Sequence, residues 1–127
     1  LLKKKRTKMS KVPKLPDPPK ELAPPKDTPF TSEELAKHDG SDPNAPIYVA
    51  IKGTVFDVSE KRDTYGPNGS YHVFAGKDAS KGFGMGSLNL EDAVPDISTL
   101  DESQLKVLND WYDYYSKRYN IVGKVVT

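Results

Sequence analysis

Tyr65 and Tyr71 bracket the run Gly66-Pro67-Asn68-Gly69-Ser70, and His72 follows at once. Glycine reaches backbone conformations closed to other residues and proline fixes φ, so Gly66, Pro67 and Gly69 predict a tight turn that brings the two phenol rings together. A buried phenol either fills a core with its hydroxyl at the rim, the reading that fits Tyr48, Tyr112 and Tyr114, or uses its oxygen to bind a ligand. Adjacent residues in a turn point in different directions, so Tyr71 and His72 should not face the same ligand. His72 therefore reads as solvent-facing or locally hydrogen-bonded, and His38, on a stretch rich in Glu and Lys, as surface. Within these 127 residues there is no cysteine, which removes disulfides, thiolate nucleophiles, thiolate-ligated haem and cysteine-based zinc sites. Two histidines are too few for a three-histidine catalytic metal site. No Ser-His-Asp order or paired-carboxylate pattern stands out.

The elements that must position these residues are legible from period and punctuation. Thr31-Ser32-Glu33-Glu34 offers a helix cap with Glu three residues on, and Asp39-Gly40 closes the short helix it begins. Residues 47–51 and 55–58 read as two strands of a hairpin broken at Gly53. From Asp101 to Tyr119, Leu105, Leu108, Tyr112, Tyr115 and Tyr119 recur at steps of three and four, with acid in the first turn and base in the last, which predicts the longest helix. Residues 121–126 return as a closing strand. Residues 59–100 are glycine-rich with few apolar runs; a middle third that cannot pack itself would leave room for a flat apolar ligand. Within it, Gly82-Phe83-Gly84-Met85-Gly86 resembles a dinucleotide fingerprint, but no strand precedes it, and it reads as a flexible loop. The order predicts an α+β domain over residues 30–127, preceded by a linker over 1–29.

Charge divides the chain the same way. Residues 1–30 carry nine Lys/Arg against three Asp/Glu, net +6, and the remainder carries ten against fifteen, net −5. An acidic globular part argues against nucleic-acid binding and favours a basic partner. Seven of the eleven prolines lie between Pro13 and Pro29, predicting an extended spacer, although Pro13, Pro16 and Pro19 also fit the PxxP pattern read by aromatic grooves. Leu1-Leu2 followed by Lys3-Lys4-Lys5-Arg6 suggests a missing hydrophobic membrane anchor just upstream, with the domain held on the cytosolic side. The alternative for the basic run is a solvated end or an anionic-lipid patch.

The segment Tyr65-Gly66-Pro67-Asn68-Gly69-Ser70-Tyr71-His72-Val73-Phe74-Ala75-Gly76-Lys77-Asp78-Ala79-Ser80 resembles the YGP-x-G-x-Y-x-x-FAG-[RK]-DAS signature of the membrane-associated progesterone receptor family, a branch of the cytochrome b5-like haem/steroid-binding fold that includes fungal damage-resistance proteins. Residues 47–59 and 109–126 extend the resemblance. It implies a small sheet with short helices and one long C-terminal helix, and Tyr71 as axial ligand of ferric haem b. Phenolate is a hard anionic donor suited to Fe(III); a free tyrosine titrates near about pH 10, so coordination must displace its proton. Tyr65 corresponds to the residue that hydrogen-bonds the ligand oxygen and orients it. Arg118 and Tyr119 stand where the family carries a haem-contacting Lys-Tyr pair; Arg keeps the charge for a propionate but changes the geometry. The HPGG element of electron-carrying b5 proteins is absent.

The resemblance implies a non-enzymatic haem-binding accessory protein that supports membrane cytochrome P450 enzymes in sterol metabolism, with a sterol or steroid as a further ligand and the endoplasmic reticulum membrane as its location. The alternatives are a b5-type electron carrier and a cofactor-free adaptor for steroids or proteins. A haem held from one face would leave the other open and favour a haem-mediated homodimer.

Overall fold

Four strands, β1 (Thr28–Phe30), β2 (Tyr48–Ile51), β3 (Thr54–Asp57) and β4 (Asn120–Val125), form one mixed sheet in the spatial order β1-β4-β3-β2. Helices α1 (Ser32–Ala36), α2 (Arg62–Tyr65), α3 (Ser80–Met85) and α4 (Glu102–Arg118) occupy the connections. This α+β arrangement is the one expected. The structure, a computed structural model, describes Met9, residues 11–16 and residues 21–126. Leu1-Leu2 and Lys3–Arg6, on which the anchor reading rests, lie outside the described residues, as does Pro19 of the PxxP spacing. Among the described residues, no helix is long and apolar enough to cross a membrane.

The β2–β3 hairpin closes through Lys52 and Gly53, both in the left-handed region at φ 52° and 77°, a two-residue turn whose twist matches that of the strands. A lysine is strained there, and its surroundings hold it. The Lys52 amide donates to Ser80 Oγ at 2.7 Å, the Gly53 amide to Asp78 Oδ2 at 2.9 Å, and Lys52 Nζ to Asn109 Oδ1 at 2.9 Å. Asp78 Oδ1 in turn accepts the Ser80 amide at 3.0 Å. The Lys77-Asp78-Ala79-Ser80 stretch of the signature is therefore architectural: it pairs with Ala50 alongside β2 and locks the hairpin turn.

Helix α4 begins with a reciprocal capping box, Asp101 accepting the Gln104 amide at 2.9 Å while the Gln104 side chain accepts the Asp101 amide at 3.0 Å. Thr31 and Glu34 make the same arrangement at α1. The buried stripe of α4 runs through Leu108, Trp111 and Tyr115, with Tyr119 buried just beyond its end. Trp111 thus joins the face that the apolar periodicity outlined, while Leu105 and Tyr112 sit at its half-buried edge. Tyr112 reaches the Thr54 hydroxyl at 3.1 Å, the rim role expected of it.

Three expectations change. The middle third packs itself: Phe74 and Phe83 are fully buried and stack at 4.5 Å between centroids, so two large rings do the work of a longer apolar run. Residues 82–86 are not a loop but the body and left-handed cap of α3. Gly82 and Gly84 lie on its buried face, and a Cβ on Gly84 would come within 2.5 Å of Leu100 Cδ1, so these glycines bring α3 close to its neighbours. The N-terminal stretch is more than a spacer: the Met9 amide donates to the Gly86 carbonyl at 2.8 Å, Met9 and Val12 pack on the main core, and a first strand begins at Thr28, inside the stretch read as linker. β1 escaped notice because an edge strand of three residues centred on Pro29 has no periodicity to read.

Candidate functional site

The turn between the two tyrosines is built from backbone. Helix α2 ends at Tyr65, the Gly66 amide returns to Arg62 O at 2.8 Å, the Gly69 amide to Gly66 O at 2.9 Å, and the Tyr71 amide to Thr64 O at 2.9 Å. Gly69 presses so closely on Thr64 that a Cβ would sit 2.0 Å from its carbonyl oxygen. The result is the expected one, with the Tyr65 and Tyr71 rings 6.0 Å apart at 61°. Tyr71 leans on Phe74 at 5.6 Å, and Phe74 stacks on Phe83, so a continuous aromatic wall supports it from behind.

The hydroxyls divide sharply. Tyr65 is buried, and its hydroxyl meets that of the fully buried Tyr115 across α2 and α4, with Tyr119 joining the group. Burial raises Tyr65 well above the ordinary tyrosine value, assisted by the neighbouring Tyr115 and Tyr119. Burial likewise raises Tyr115 well above that value, although its hydrogen bond with Tyr65 works the other way. Tyr119 is pushed up to about 12 by burial and by Tyr114. Tyr71 is half-buried, and among the described residues its hydroxyl has no hydrogen-bond partner. The bond from Tyr65 to Tyr71 implied by the resemblance is not made here, because the Tyr65 hydroxyl is engaged beneath α4.

Since the three buried phenols stay protonated where an unfolded chain ionises, their stabilisation is complete below the ordinary value of 10.0 and is lost as pH rises from there toward 12 and beyond. Alkaline titration should show stability falling from about pH 10 upward. Phenolate absorbance from these three should appear together with loss of the helical circular-dichroism signal; their ionisation in a still-folded protein would refute the buried cluster.

Arg118 stands beside the tyrosines. Its side chain is mostly buried, pairs with Glu60, and lies over the Tyr119 ring at 5.0 Å. Burial opposes its charge, and the bond and charge of Glu60 more than restore it, so its pKa is raised. The structure thus brings Tyr65, Tyr71, Arg118 and Tyr119 to one end of α4. His72 turns away: Nδ1 donates to the Tyr65 carbonyl at 3.0 Å, and the ring lines a separate hollow with Asp39, Gly76 and Lys77. His38 is not simply surface, for it stacks on Tyr48 at 4.2 Å, with Nδ1 donating to Pro46 O at 2.9 Å. Among the described residues, no group of three His, Cys, Asp or Glu could hold a metal ion. Tyr115 is the participant that sequence reasoning passed over. Its only signal was a hydroxyl in a stripe where Phe or Leu would fill the core.

A hollow of about 620 Å³ between α3 and α4 is lined by Met9, Val12, Met85, Val107 and Trp111, and Tyr71 is not among its walls. Tyr71 is half-buried, its ring packed between Tyr65 and Phe74.

A small mixed sheet backed by a long C-terminal helix, with tyrosines gathered at the helix end, defines a module of the cytochrome b5-like class. A solved Arabidopsis thaliana structure described as having a cytochrome b5 like fold superposes with a TM-score of 0.73 at 46% identity, covering 79% of this chain and 92% of that one. Residues 31–125 match the Cytochrome b5-like Heme/Steroid binding domain. The chain belongs to that family, in its membrane-associated progesterone receptor branch. It is 47% identical over 98 residues to Probable steroid-binding protein 3 of Arabidopsis thaliana, covering 77% of this chain and 98% of that protein. It is 46% identical over 96 residues to Membrane steroid-binding protein 2 of Oryza sativa subsp. japonica, covering 76% of this chain and 36% of that protein, so it spans about a third of this longer relative.

Proposed function

We propose that this domain binds ferric haem b through the Tyr71 phenolate and acts, without catalysis of its own, as an accessory to membrane cytochrome P450 enzymes in sterol metabolism. The observation that carries the reading is the contrast among four clustered tyrosines: Tyr65 and Tyr115 are buried and bonded to each other, Tyr119 is buried beside them, and the hydroxyl of the half-buried Tyr71 has no hydrogen-bond partner among the described residues. The residues present fit the group. The site offers phenol oxygen donors backed by aromatic rings, with a guanidinium beside them, the set that suits oxidised iron, a flat macrocycle and a propionate. Bound there, haem would supply an oxidised iron centre held at low potential by its anionic ligand.

The chain's own residues do the rest. Tyr71 would release its phenolic proton to solvent and supply the oxygen, held in place by the Thr64 carbonyl through its amide and by Phe74 through its ring. Tyr65, whose ring lies against Tyr71, would donate to that oxygen only by turning its hydroxyl from Tyr115. Arg118, paired with Glu60 and lying over the Tyr119 ring, would offer its remaining donors to a propionate. The net −5 of residues 31–127 suits docking on a basic partner face such as P450 enzymes present. A preceding hydrophobic anchor would place the domain on the cytosolic side of the endoplasmic reticulum membrane. The steroid-binding names of the relatives support a steroid as a further ligand. The open outer face of the haem would favour pairing of two loaded copies.

Titration with haemin tests this reading. Wild type is expected to take up haemin with a phenolate charge-transfer band, and Tyr71→Phe to bind at least about a hundredfold more weakly, beyond the ten- to hundredfold typical of losing an outer-shell partner. Equal uptake by the two proteins would refute the ligand assignment. Steroid binding that survives Tyr71→Phe, in a wild type that takes up no haemin, would instead establish the cofactor-free adaptor.

A further inference from the structure

We infer that the face between α3 and α4 is a recognition site for an extended, lysine-bearing chain segment with an apolar residue at every third position, and that the chain's own N-terminal segment occupies it intramolecularly. Residues 8 to 16 read Lys-Met-Ser, Lys-Val-Pro, Lys-Leu-Pro, one tripeptide pattern three times over. A polyproline helix has three residues per turn, so the repeat gives one edge of Met9, Val12 and Leu15 and a second edge of lysines. Segments of this kind dock on aromatic-lined surfaces at low cost in ordering.

The apolar edge follows α4 step by step. The Met9 amide donates to the Gly86 carbonyl at 2.8 Å, where α3 ends, and Met9 lines the hollow between the two helices. Val12 lines that hollow and also the next one along α4, of about 230 Å³, and Leu15 lines only the second, beside Tyr114 and Lys117. Six residues of polyproline rise span about 19 Å, and the helix from Gln104 to Lys117 spans about 20 Å, so segment and receiving face match in length. Residues 11–16 form neither helix nor strand, as such a segment requires. Asp110 edges both hollows and Asp113 the second, which brings acid to the lysine-bearing edge. Each acid already pairs with a lysine one turn away, Lys106 at 3.2 Å and Lys117 at 3.3 Å, and exposed pairs contribute little. The apolar steps therefore carry the docking. Met85 and Val107 remain 40% and 38% exposed beside the segment, so it covers the face only in part, and a segment of the same repeat with larger apolar residues would displace it. The domain thus carries a surface for such a partner that its own linker holds shut, whatever Tyr71 binds.

Trp111, the single tryptophan of the chain, lines the first hollow and reports on it. In the full chain, Met9→Glu combined with Val12→Glu should release the segment, moving Trp111 emission to longer wavelength and increasing its quenching by acrylamide. A synthetic peptide of residues 8–16 added to this variant should reverse both changes, and its V12L form should do so at lower concentration. Wild type should take up the peptide at least about threefold more weakly than the variant, because the tethered copy competes at an effective concentration on the order of millimolar. Val107→Lys, on the receiving face, should give the same change in emission and abolish peptide uptake; it supplies the test if the double variant does not fold, with far-ultraviolet circular dichroism as the check. Coincident emission and quenching in wild type and both variants, or equal peptide uptake by wild type and the double variant, would overturn the inference. Dimerisation of the double variant that the peptide does not reverse would also overturn it, by assigning the face to a second copy.

Discussion

Gly69→Ala is expected to dismantle the turn that presents Tyr71 while leaving both tyrosines in the sequence. The added methyl would lie 2.0 Å from the Thr64 carbonyl oxygen and 2.2 Å from its carbon. Backbone cannot yield as a flexible side chain does, and this particular carbonyl accepts the Tyr71 amide at 2.9 Å. Relief of the clash therefore breaks the bond that fixes the position of Tyr71. The cost should be about 2 to 4 kcal/mol, combining overpacking with one lost hydrogen bond. For a domain near this size that lowers the melting temperature by roughly 10 to 25 °C. Haemin affinity should fall by more than about tenfold, since misplacing a ligand by an ångström forfeits most of its orientation. Gly53→Asn is the contrast: a side chain there meets nothing within 4 Å, and asparagine tolerates the left-handed backbone, so the loss should stay under about 1 kcal/mol. Similar melting temperatures for the two variants would show that the Gly69 contact is not the constraint described.

Phe74→Ala should have the largest effect on stability. Its ring is fully buried, stacked on Phe83 at 4.5 Å and tilted against Tyr71 at 5.6 Å. Removing a buried phenylalanine costs about 3 to 5 kcal/mol through lost transfer energy and the cavity left behind, a large share of the roughly 5 to 15 kcal/mol that holds a domain folded. Urea unfolding would measure it. Leu90→Ala, at a side chain 67% exposed, should change stability by no more than about 0.5 kcal/mol. Haemin binding should weaken in Phe74→Ala even where the protein remains folded, because the wall behind Tyr71 is gone; full affinity in a folded variant would contradict that support.

How far the sequence carried these arguments depended on which physical signal each element has. Helix α4 was legible because seventeen residues repeat an apolar stripe and open on Asp101 with Gln104 three residues later. The β2–β3 hairpin was legible because β-branched and aromatic residues flank a glycine. Helix α3 was not, since the face it buries carries Gly82 and Gly84, and periodicity counts side chains rather than their absence. β1 was hidden by its length and by Pro29. At the site, the turn from Tyr65 to Tyr71 could be anticipated from its glycines and proline, and the proximity of Arg118 and Tyr119 to it from resemblance. The partner of the Tyr65 hydroxyl could not. Tyr115 lies fifty residues further along and looks like core filling, and only the crossing of α4 over α2 brings the two oxygens together. The architectural role of Asp78 and Ser80 was equally invisible, because their bonds go to the backbone of a hairpin turn.

Resonance Raman spectroscopy of the haemin-loaded domain asks whether the Tyr71 oxygen itself binds oxidised iron. With excitation in the charge-transfer band, wild type should show enhanced phenolate ring modes that shift when the tyrosines carry ring deuterium, and Tyr71→Phe should show none. Phenolate modes that persist in Tyr71→Phe, or their absence from a loaded wild type, would contradict the account.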